Sequence, residues 1–520
     1  MPTPRWWACY ASWAAVTVGV ALRINQAAPE PYMDEIFHVP QAQAYCRGDW
    51  KYWDGALTTP PGLYLFPALI AHLQRISIRP IPPDLLARLP TFHPCSPSAL
   101  RGFNLVLSLA LPFLYASLLR LLRSSPTPAS EQVEKSRLAR ARDSSADWEA
   151  LVVSLLPLVH WWSWLYYTDL ISATSVLLAW REGLKGRYGR SALLGVTSLL
   201  FRQTNIVWVA FIAGQAAISR VSLASRLSAP SRGTVDPSLR EASSTDLIRT
   251  PLALLGAAIR NPLALFPIIA GYAPVFAVFA AFIRWNGGIV LGDKQNHVVS
   301  IHVPQLYYFL VFAGVFFAPQ LLSVSRLLRT TKALAGSLSR ILLSLVAVSG
   351  MSWTISRFTI AHPFLLADNR HYAFYLWRRL INVHPYSRYA LAPAYLFTAA
   401  LTTSALADAA TMSLSTAILF VGATAAVLVP TPLLEPRYFI LPLLILRLYL
   451  APGPSASPSV RRSQRIRLVL EALLYLAVQA GCVFLFLHRT FYWDIGVGED
   501  GRGLEGRDER EIGRVQRFMW

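Results

Sequence analysis

Along most of the chain, apolar runs of roughly bilayer length alternate with short polar breaks, and the breaks carry most of the charges and histidines. About 20 apolar residues span a hydrocarbon core, because a helix rises about 1.5 Å per residue. On that measure, spans are predicted at 6–25, 101–122, 148–167, 169–183, 191–201, 204–220, 262–284, 306–324, 339–356, 389–407, 411–430, a run following 438, and 468–488. The pattern is that of an all-α polytopic membrane protein with about 13 transmembrane segments, within a range of about 11 to 14. The first run is read as an uncleaved anchor, since its basic flank is only Arg5 and a polar block follows at once.

The interruptions differ in kind. Residues 26–100 form a first loop far longer than the roughly 4 to 6 residues of ordinary connections, and short helices lying on the membrane surface are expected within it. Residues 123–147 and 221–260 are polar and basic, with Arg123, Arg137, Arg226 and Arg240 among them, and read as loops. Residues 357–388 mix charge with apolar residues and suggest an interfacial helix. Trp161, Trp162, Trp164, Tyr166 and Tyr167 precede Asp169 and look like an aromatic belt at the membrane boundary. Two short runs are split by Arg202-Gln203-Thr204-Asn205, a break that is tolerated where it lines a cavity. Residues 1–488 are thus expected to form a single transmembrane domain, followed by a charged tail at 489–520.

A hydrophobic content of 54% and a mean hydropathy of +0.40 agree with this reading. The net charge of +20 would ordinarily raise nucleic acid as a partner. Here the basic clusters fall between apolar runs, as the positive-inside rule requires, and no nucleic-acid partner is expected. The same rule places the N-terminus in the cytosol and the first loop opposite it. Counting spans then brings Arg202, Lys294, His297, Arg370, His371, Arg437 and the tail to that same non-cytosolic side. Of the cysteines Cys9, Cys46, Cys95 and Cys482, none shows metal-ligand spacing. Cys46 and Cys95 share the non-cytosolic side, where a disulfide could form, and are read as free thiols.

Candidate chemistry begins at Asp34 and Glu35, which a helix would point about 100° apart. His38 lies one turn beyond Asp34, on the same face. Trp50 and Trp53 offer flat faces of the kind that stack on sugar rings, and Thr58-Thr59-Pro60-Pro61-Gly62 makes a rigid turn. A carboxylate there could take a proton from a hydroxyl. Lys294, Arg202, Arg370 and Arg437, with His297 and His371, could stabilise charge on a departing phosphate. Asp169 and Gln203 are candidates for holding sugar hydroxyls, although Asp169 with Arg202 could equally be a structural ion pair.

Met33-Asp34-Glu35-Ile36-Phe37-His38, Trp53-Asp54, Thr58 to Tyr64, Phe201 to Asn205, Gly292-Asp293-Lys294, His362 to Arg379 and Glu435-Pro436-Arg437-Tyr438 together resemble the dolichyl-phosphate-glucose α-1,2-glucosyltransferase family. Gly55 departs from the proline expected after Trp-Asp. The resemblance implies a GT-C fold in the endoplasmic reticulum membrane with its site in the lumen. It also implies dolichyl-phosphate-glucose as donor, and a dolichyl-diphosphate-linked oligosaccharide carrying two glucoses, Glc2Man9GlcNAc2-PP-dolichol, as acceptor. Transfer would invert the β-linked donor, with Asp34 as base and Glu35 orienting it or the acceptor; since no DxD-like metal motif stands out in the sequence, no cofactor or metal is expected. Two alternatives stay open. Another dolichyl-phosphate-sugar transferase would share the fold, and a paralogue in the same resemblance is described as a potassium-channel regulator, a non-catalytic role.

Overall fold

The computed structural model describes residues 2–78, 93–123, 144–228, 235–294, 298–450, 458–492 and 513–520. Its principal helices are α1 (Pro4–Ala27), α2 (Glu35–Arg47), α3 (Gly62–Ile78), α4 (Pro97–Leu122), α5 (Ser144–Ser154), α6 (Thr168–Leu184), α7 (Tyr188–Leu199), α8 (Asn205–Ser228) and α9 (Asp246–Arg260). There follow α10 (Phe266–Asn286), α11 (Pro304–Phe316), α12 (Val324–Ala335), α13 (Leu338–Phe358), α14 (Ala392–Ala409), α15 (Leu414–Leu428), α16 (Ile440–Tyr449) and α17 (Pro458–His488). Strands β1 (Thr490–Phe491) and β2 (Gln516–Arg517) pair antiparallel.

Local sequence explains the helix ends. Thr3, Ser96, Ser323, Ser337 and Ser413 each cap a helix, the hydroxyl accepting from a backbone N–H of the first turn. Gly48 and Gly287 close α2 and α10 in the left-handed region that glycine adopts without a Cβ penalty. Among the described residues, seven helices are long and apolar enough to cross a bilayer: α1, α4, α8, α10, α13, α14 with the turn before it, and α17. The helices α11 and α15 are apolar but shorter. Many of these helices also present apolar residues outward, such as Val16 and Leu22 on α1 and Leu343 and Val346 on α13, as lipid-facing helices do. In contrast, α6 is buried on nearly every side and packs against α4, α7 and α8.

The structure corrects several expectations. Residues 148–167 are not one span: α5 ends at Ser154, and Pro157–His160 and Trp161–Ser163 follow as separate short turns. The aromatics after them do not ring the membrane boundary. Trp161, Trp162, Trp164, Tyr166 and Tyr167 are all at most 2% exposed. An apolar ring with a polar tip suits a membrane boundary and an interior with hydrogen-bond acceptors alike, and Trp164 Nε1 donates to the Thr17 carbonyl at 3.1 Å.

The polar segment 221–260 is largely helical. The helix α8 runs on to Ser228, and α9 sets Leu247, Ile248, Leu252, Leu255 and Ile259 on an exposed apolar face while Thr250 and Ala257 pack inward. Averaged hydropathy hid that face among the charges of Asp246, Arg249 and Arg260. Cys46 and Cys95 are joined in a disulfide, with Cα atoms 6.6 Å apart, tying the end of α2 to the approach to α4. Their separation of 49 residues concealed the proximity that the return of α3 creates.

The expected interfacial helix at 357–388 is a series of short turns, including a π-helical turn at Trp377–Ile381. The expected loop 123–147 lies mostly outside the described residues, as does most of the charged tail. Of the tail, residues 489–492 and 513–520 are described, and the latter are packed into the bundle. Arg517 donates to the carbonyls of Ala27 and Phe486, both at 2.7 Å, and its backbone exchanges hydrogen bonds with the Tyr32 hydroxyl.

At the other end of the helices lies a buried ionic chain. Arg447 on α16 bonds Glu149 on α5 at 2.7 Å and Glu471 on α17 at 2.6 Å, and Glu149 also receives Arg123. Gln320 and Tyr475 donate to Glu471 as well. All four charged side chains are at most 5% exposed.

Candidate active site

The chain segments that end α1, α7, α10 and α15, and those that open α6, α8 and α16, meet at one end of the bundle around a cavity of about 670 Å³. Its lining includes polar groups, Asp34, His38, Asp169, Arg202, Gln203, Asp293, Asp368, Arg370, His371, Glu435 and Arg437, and apolar ones, among them Val207 on α8, Phe279 on α10 and Val427 on α15. That mixture suits a ligand that is part hydrocarbon and part ionic.

Asp34 caps the start of α2 beside Met33, whose φ of +55° is unusual for a side chain of that size. The Asp34 amide donates to the Tyr167 hydroxyl at 3.0 Å, which fixes the turn. Its carboxylate receives Arg437 at 2.6 Å, and Arg437 also bonds Glu435. Burial works to raise the Asp34 carboxyl, and the Arg437 charge outweighs it, holding the group at about 2. Its side chain is still 37% exposed, open toward the cavity.

Glu35 plays a different part. It is fully buried and accepts from Arg101 Nε at 2.9 Å, from the Tyr166 amide at 2.6 Å and from the Tyr32 amide at 3.0 Å. Glu35 does not line the cavity; it pins α2 to α4 and to the aromatic turn. Arg101 and Tyr32 did not stand out in the sequence, and Tyr166 stood out only as part of the aromatic run before Asp169.

His38 lines the cavity and shares a hydrogen bond of 2.7 Å between Nδ1 and the Tyr64 hydroxyl. Burial drives its imidazole down to about 4, so the ring is neutral at physiological pH. Arg202 bonds Asp169 at 2.7 Å, so the ion pair exists and lies in the cavity wall. The guanidinium groups of Arg202 and Arg437 each lie 5.8 Å from the centre of the Tyr438 ring, which spaces the two cations. Arg370 makes a two-pronged pair with Asp368, and the His371 ring bonds the Trp520 carbonyl at 2.8 Å.

The loops that close the cavity are held by backbone contacts. Gln203 donates to the Thr58 carbonyl at 2.7 Å, and the Asp293 amide to the Gly55 carbonyl at 3.0 Å. At Gly292 a Cβ would fall 2.4 Å from the carbonyl oxygens of Gly55 and Leu57, so only glycine lets these loops meet.

Other predicted site residues are placed elsewhere. Lys294 does not line the cavity; its Nζ donates to the Asn286 carbonyl at 2.7 Å, and its neighbour Asp293 faces the cavity instead. Trp50 is exposed and stacks on His72, and Trp53 meets the edge of Tyr64; neither lines the cavity. His297 lies outside the described residues.

Fold and site together define a polytopic, all-α membrane protein with an ionic cavity at one end of its helices. A sequence profile of the DIE2/ALG10 family matches residues 28–448. The chain belongs to that family. It is 33% identical over 551 residues to the Dol-P-Glc:Glc(2)Man(9)GlcNAc(2)-PP-Dol alpha-1,2-glucosyltransferase of Arabidopsis thaliana, a match covering 98% of this chain and 99% of that protein. The proteins of the same name from Mus musculus and Homo sapiens are each 33% identical across 95% of this chain and 94% of their own length. No solved structure matches the chain.

Proposed function

We propose that this protein transfers glucose from dolichyl-phosphate-glucose, in α-1,2 linkage, to the terminal glucose of Glc2Man9GlcNAc2-PP-dolichol. The observation that carries the reading is one cavity in which Asp34, open to the interior, faces Arg202, Arg370, His371 and Arg437. Asp34 takes the proton of the attacking hydroxyl as the new bond forms at the anomeric carbon. The bond to phosphate breaks on the opposite face, so the β-linked donor yields an α product. The arginines and His371 meet the charge that develops on the departing lipid phosphate, a stabilisation that needs no metal.

Arg437 serves both halves of this step. While it is paired with Asp34 the carboxylate is a weak base, and as the phosphate draws the guanidinium away the carboxylate strengthens. The hydrocarbon of the donor lies along the apolar wall of α8, α10 and α15.

In this reading the fold is GT-C. The seven long helices, with α5 to α7, α11, α15 and α16 as shorter crossings, make up about 13 spans. The N-terminus is cytosolic, and the cavity opens to the lumen of the endoplasmic reticulum. The test is transfer by the purified protein from dolichyl-phosphate-glucose to the diglucosylated acceptor, with linkage analysis of the product. An α-1,2-linked third glucose is expected. Absence of transfer, or transfer from dolichyl-phosphate-mannose in preference, would overturn it.

A further inference from the structure

The segment 513–520 reaches the cavity from far along the chain, and its contacts there fall into two sets. One set is anchorage. Arg517 bonds the ends of α1 and α17, β2 pairs with β1, and the Trp520 ring packs against Phe312, Phe316 and Tyr372. The other set falls on two side chains that line the cavity, Arg370 and His371.

The Met519 amide donates to the Arg370 carbonyl, and the Tyr372 amide to the Met519 carbonyl, both at 3.0 Å. These bonds run a short bridge beside residues 370–372. Gln516, 1% exposed, accepts from Arg370 Nη1 at 2.9 Å. Its amide nitrogen donates to the Arg514 carbonyl at 3.1 Å, so the oxygen is the atom turned to the guanidinium. Arg370 is therefore gripped from two sides, by Asp368 and by Gln516.

The carbonyl of Trp520 acts on His371 in a different way. A carbonyl only accepts, so the Nδ1 atom 2.8 Å away must carry the proton. In the neutral ring Nε2 then holds a lone pair, and in the imidazolium it holds an N–H, 3.9 Å from the Asp368 carboxylate. Choice of tautomer is a device by which a second contact sets what a histidine can do at a site.

We propose that residues 513–520 form a working wall of the donor site, with Gln516 a positioning residue for Arg370 and the Trp520 carbonyl fixing the tautomer of His371. Both side chains are thereby held against the phosphate of the lipid-linked sugar. Among the described contacts the segment bonds Arg370 and His371 directly and reaches the turn of Asp34 only through Tyr32, so its effect is expected on the donor. The proposal rests on the glucosyl-transfer reading for the identity of that donor.

The experiment uses the full-length protein in lipid nanodiscs and the variant Gln516→Leu. Three quantities are measured: binding of dolichyl phosphate without sugar, the KM values for donor and acceptor, and the melting temperature. A rise of about tenfold in donor KM, with a matching loss of dolichyl-phosphate binding and an unchanged acceptor KM, is expected for the loss of one hydrogen bond to a charged group. Unchanged donor KM and lipid-phosphate binding would overturn the proposal, as would a fall in melting temperature with both KM values unmoved.

Should Gln516→Leu not fold, Gln516→Glu retains the acceptor for Arg370 and adds a negative charge beside the phosphate. It should raise donor KM, and more so at low salt; no change in donor KM would again overturn the proposal. The binding arm separates the two readings. A wild-type protein that transfers no glucose, yet loses dolichyl-phosphate binding on Gln516→Leu, would refute the transferase and support the wall. Normal transfer with an indifferent Gln516→Leu would do the reverse.

Discussion

Asp34 Oδ2 and Arg437 Nη1 lie 2.6 Å apart and join the first loop to a turn 403 residues further along the chain. Since the carboxylate is held below its ordinary value of 3.8, the pair contributes stability that is complete above about pH 4 and lost as the pH falls through about 2. At neutral pH Asp34 is ionised. Replacing it by asparagine keeps the shape and removes the proton acceptor. Turnover by Asp34→Asn should fall about 10² to 10⁴-fold in a protein that still folds, its melting temperature lowered only by the loss of the ion pair; undiminished turnover would remove Asp34 as the base.

The same pair predicts a shift with pH. In Arg437→Gln the burial that raises the Asp34 carboxyl is no longer opposed by its nearest cation, so the group titrates at higher pH than in the wild type. The acid limb of kcat/KM should move upward, in addition to a loss of about 10² in rate from the missing cation. Residual activity can be followed from pH 4.5 to 8 for both proteins. With its base at about 2 the wild type should show no limb from Asp34 in that window, and the absence of one in Arg437→Gln as well would show that Arg437 does not control the base.

Glu35 and Arg101 form an ion pair that is 0% and 2% exposed, so neither charge can turn to water when its partner is lost. Glu35→Gln strands the guanidinium and should cost about 3 to 5 kcal/mol, read as a drop in melting temperature in detergent. The double variant Glu35→Gln with Arg101→Gln should recover part of that loss. Full stability of the single variant would contradict the arrangement.

The cation set can be sorted by substitution. Arg202→Met removes a charge from the cavity wall and should raise donor KM about tenfold or more. Lys294→Met alters a side chain that reaches the Asn286 carbonyl, and its effect should stay within about threefold. Steady-state kinetics at several donor concentrations would distinguish them, and equal losses would place Lys294 back at the donor.

Peptide mapping under non-reducing conditions should recover Cys46 and Cys95 in one linked pair, leaving Cys9 and Cys482 as thiols. Cys46→Ser should lower stability by about 2 to 4 kcal/mol, because the unfolded chain regains the freedom of the loop between them.

Which parts were legible in the sequence follows from how each property is encoded. Long lipid-facing helices such as α1, α4 and α17 declare themselves, because each contains an apolar run whose length is set by the bilayer. Asp34, Arg202, Arg370, His371 and Arg437 could be brought to one end by counting spans, since a charge at a break in an apolar run is too costly to leave facing lipid. What counting could not supply is direction. Whether Asp34 or Glu35 faces the cavity depends on Arg101, an arginine at the start of α4 whose partner lies 66 residues back. Lys294 and Asp293 differ by one position, and the left-handed φ of Asp293 turns one toward the cavity and leaves the other outside. The wall at 513–520 was hidden for a third reason: its hold on Arg370 and Tyr32 spans 146 and 485 residues, and no local pattern records a contact of that range.

The buried chain of Arg123, Glu149, Arg447 and Glu471 has a consequence for how the molecule can move. Drawing α5, α16 and α17 apart would leave unneutralised ions in an oily interior, a far costlier event than sliding apolar surfaces past one another. That end therefore behaves like the spring of a clothes-peg, closed and stiff. The jaws are at the opposite end, where Val207, Phe279 and Val427 line the cavity, and a long hydrocarbon chain would enter sideways between α8, α10 and α15.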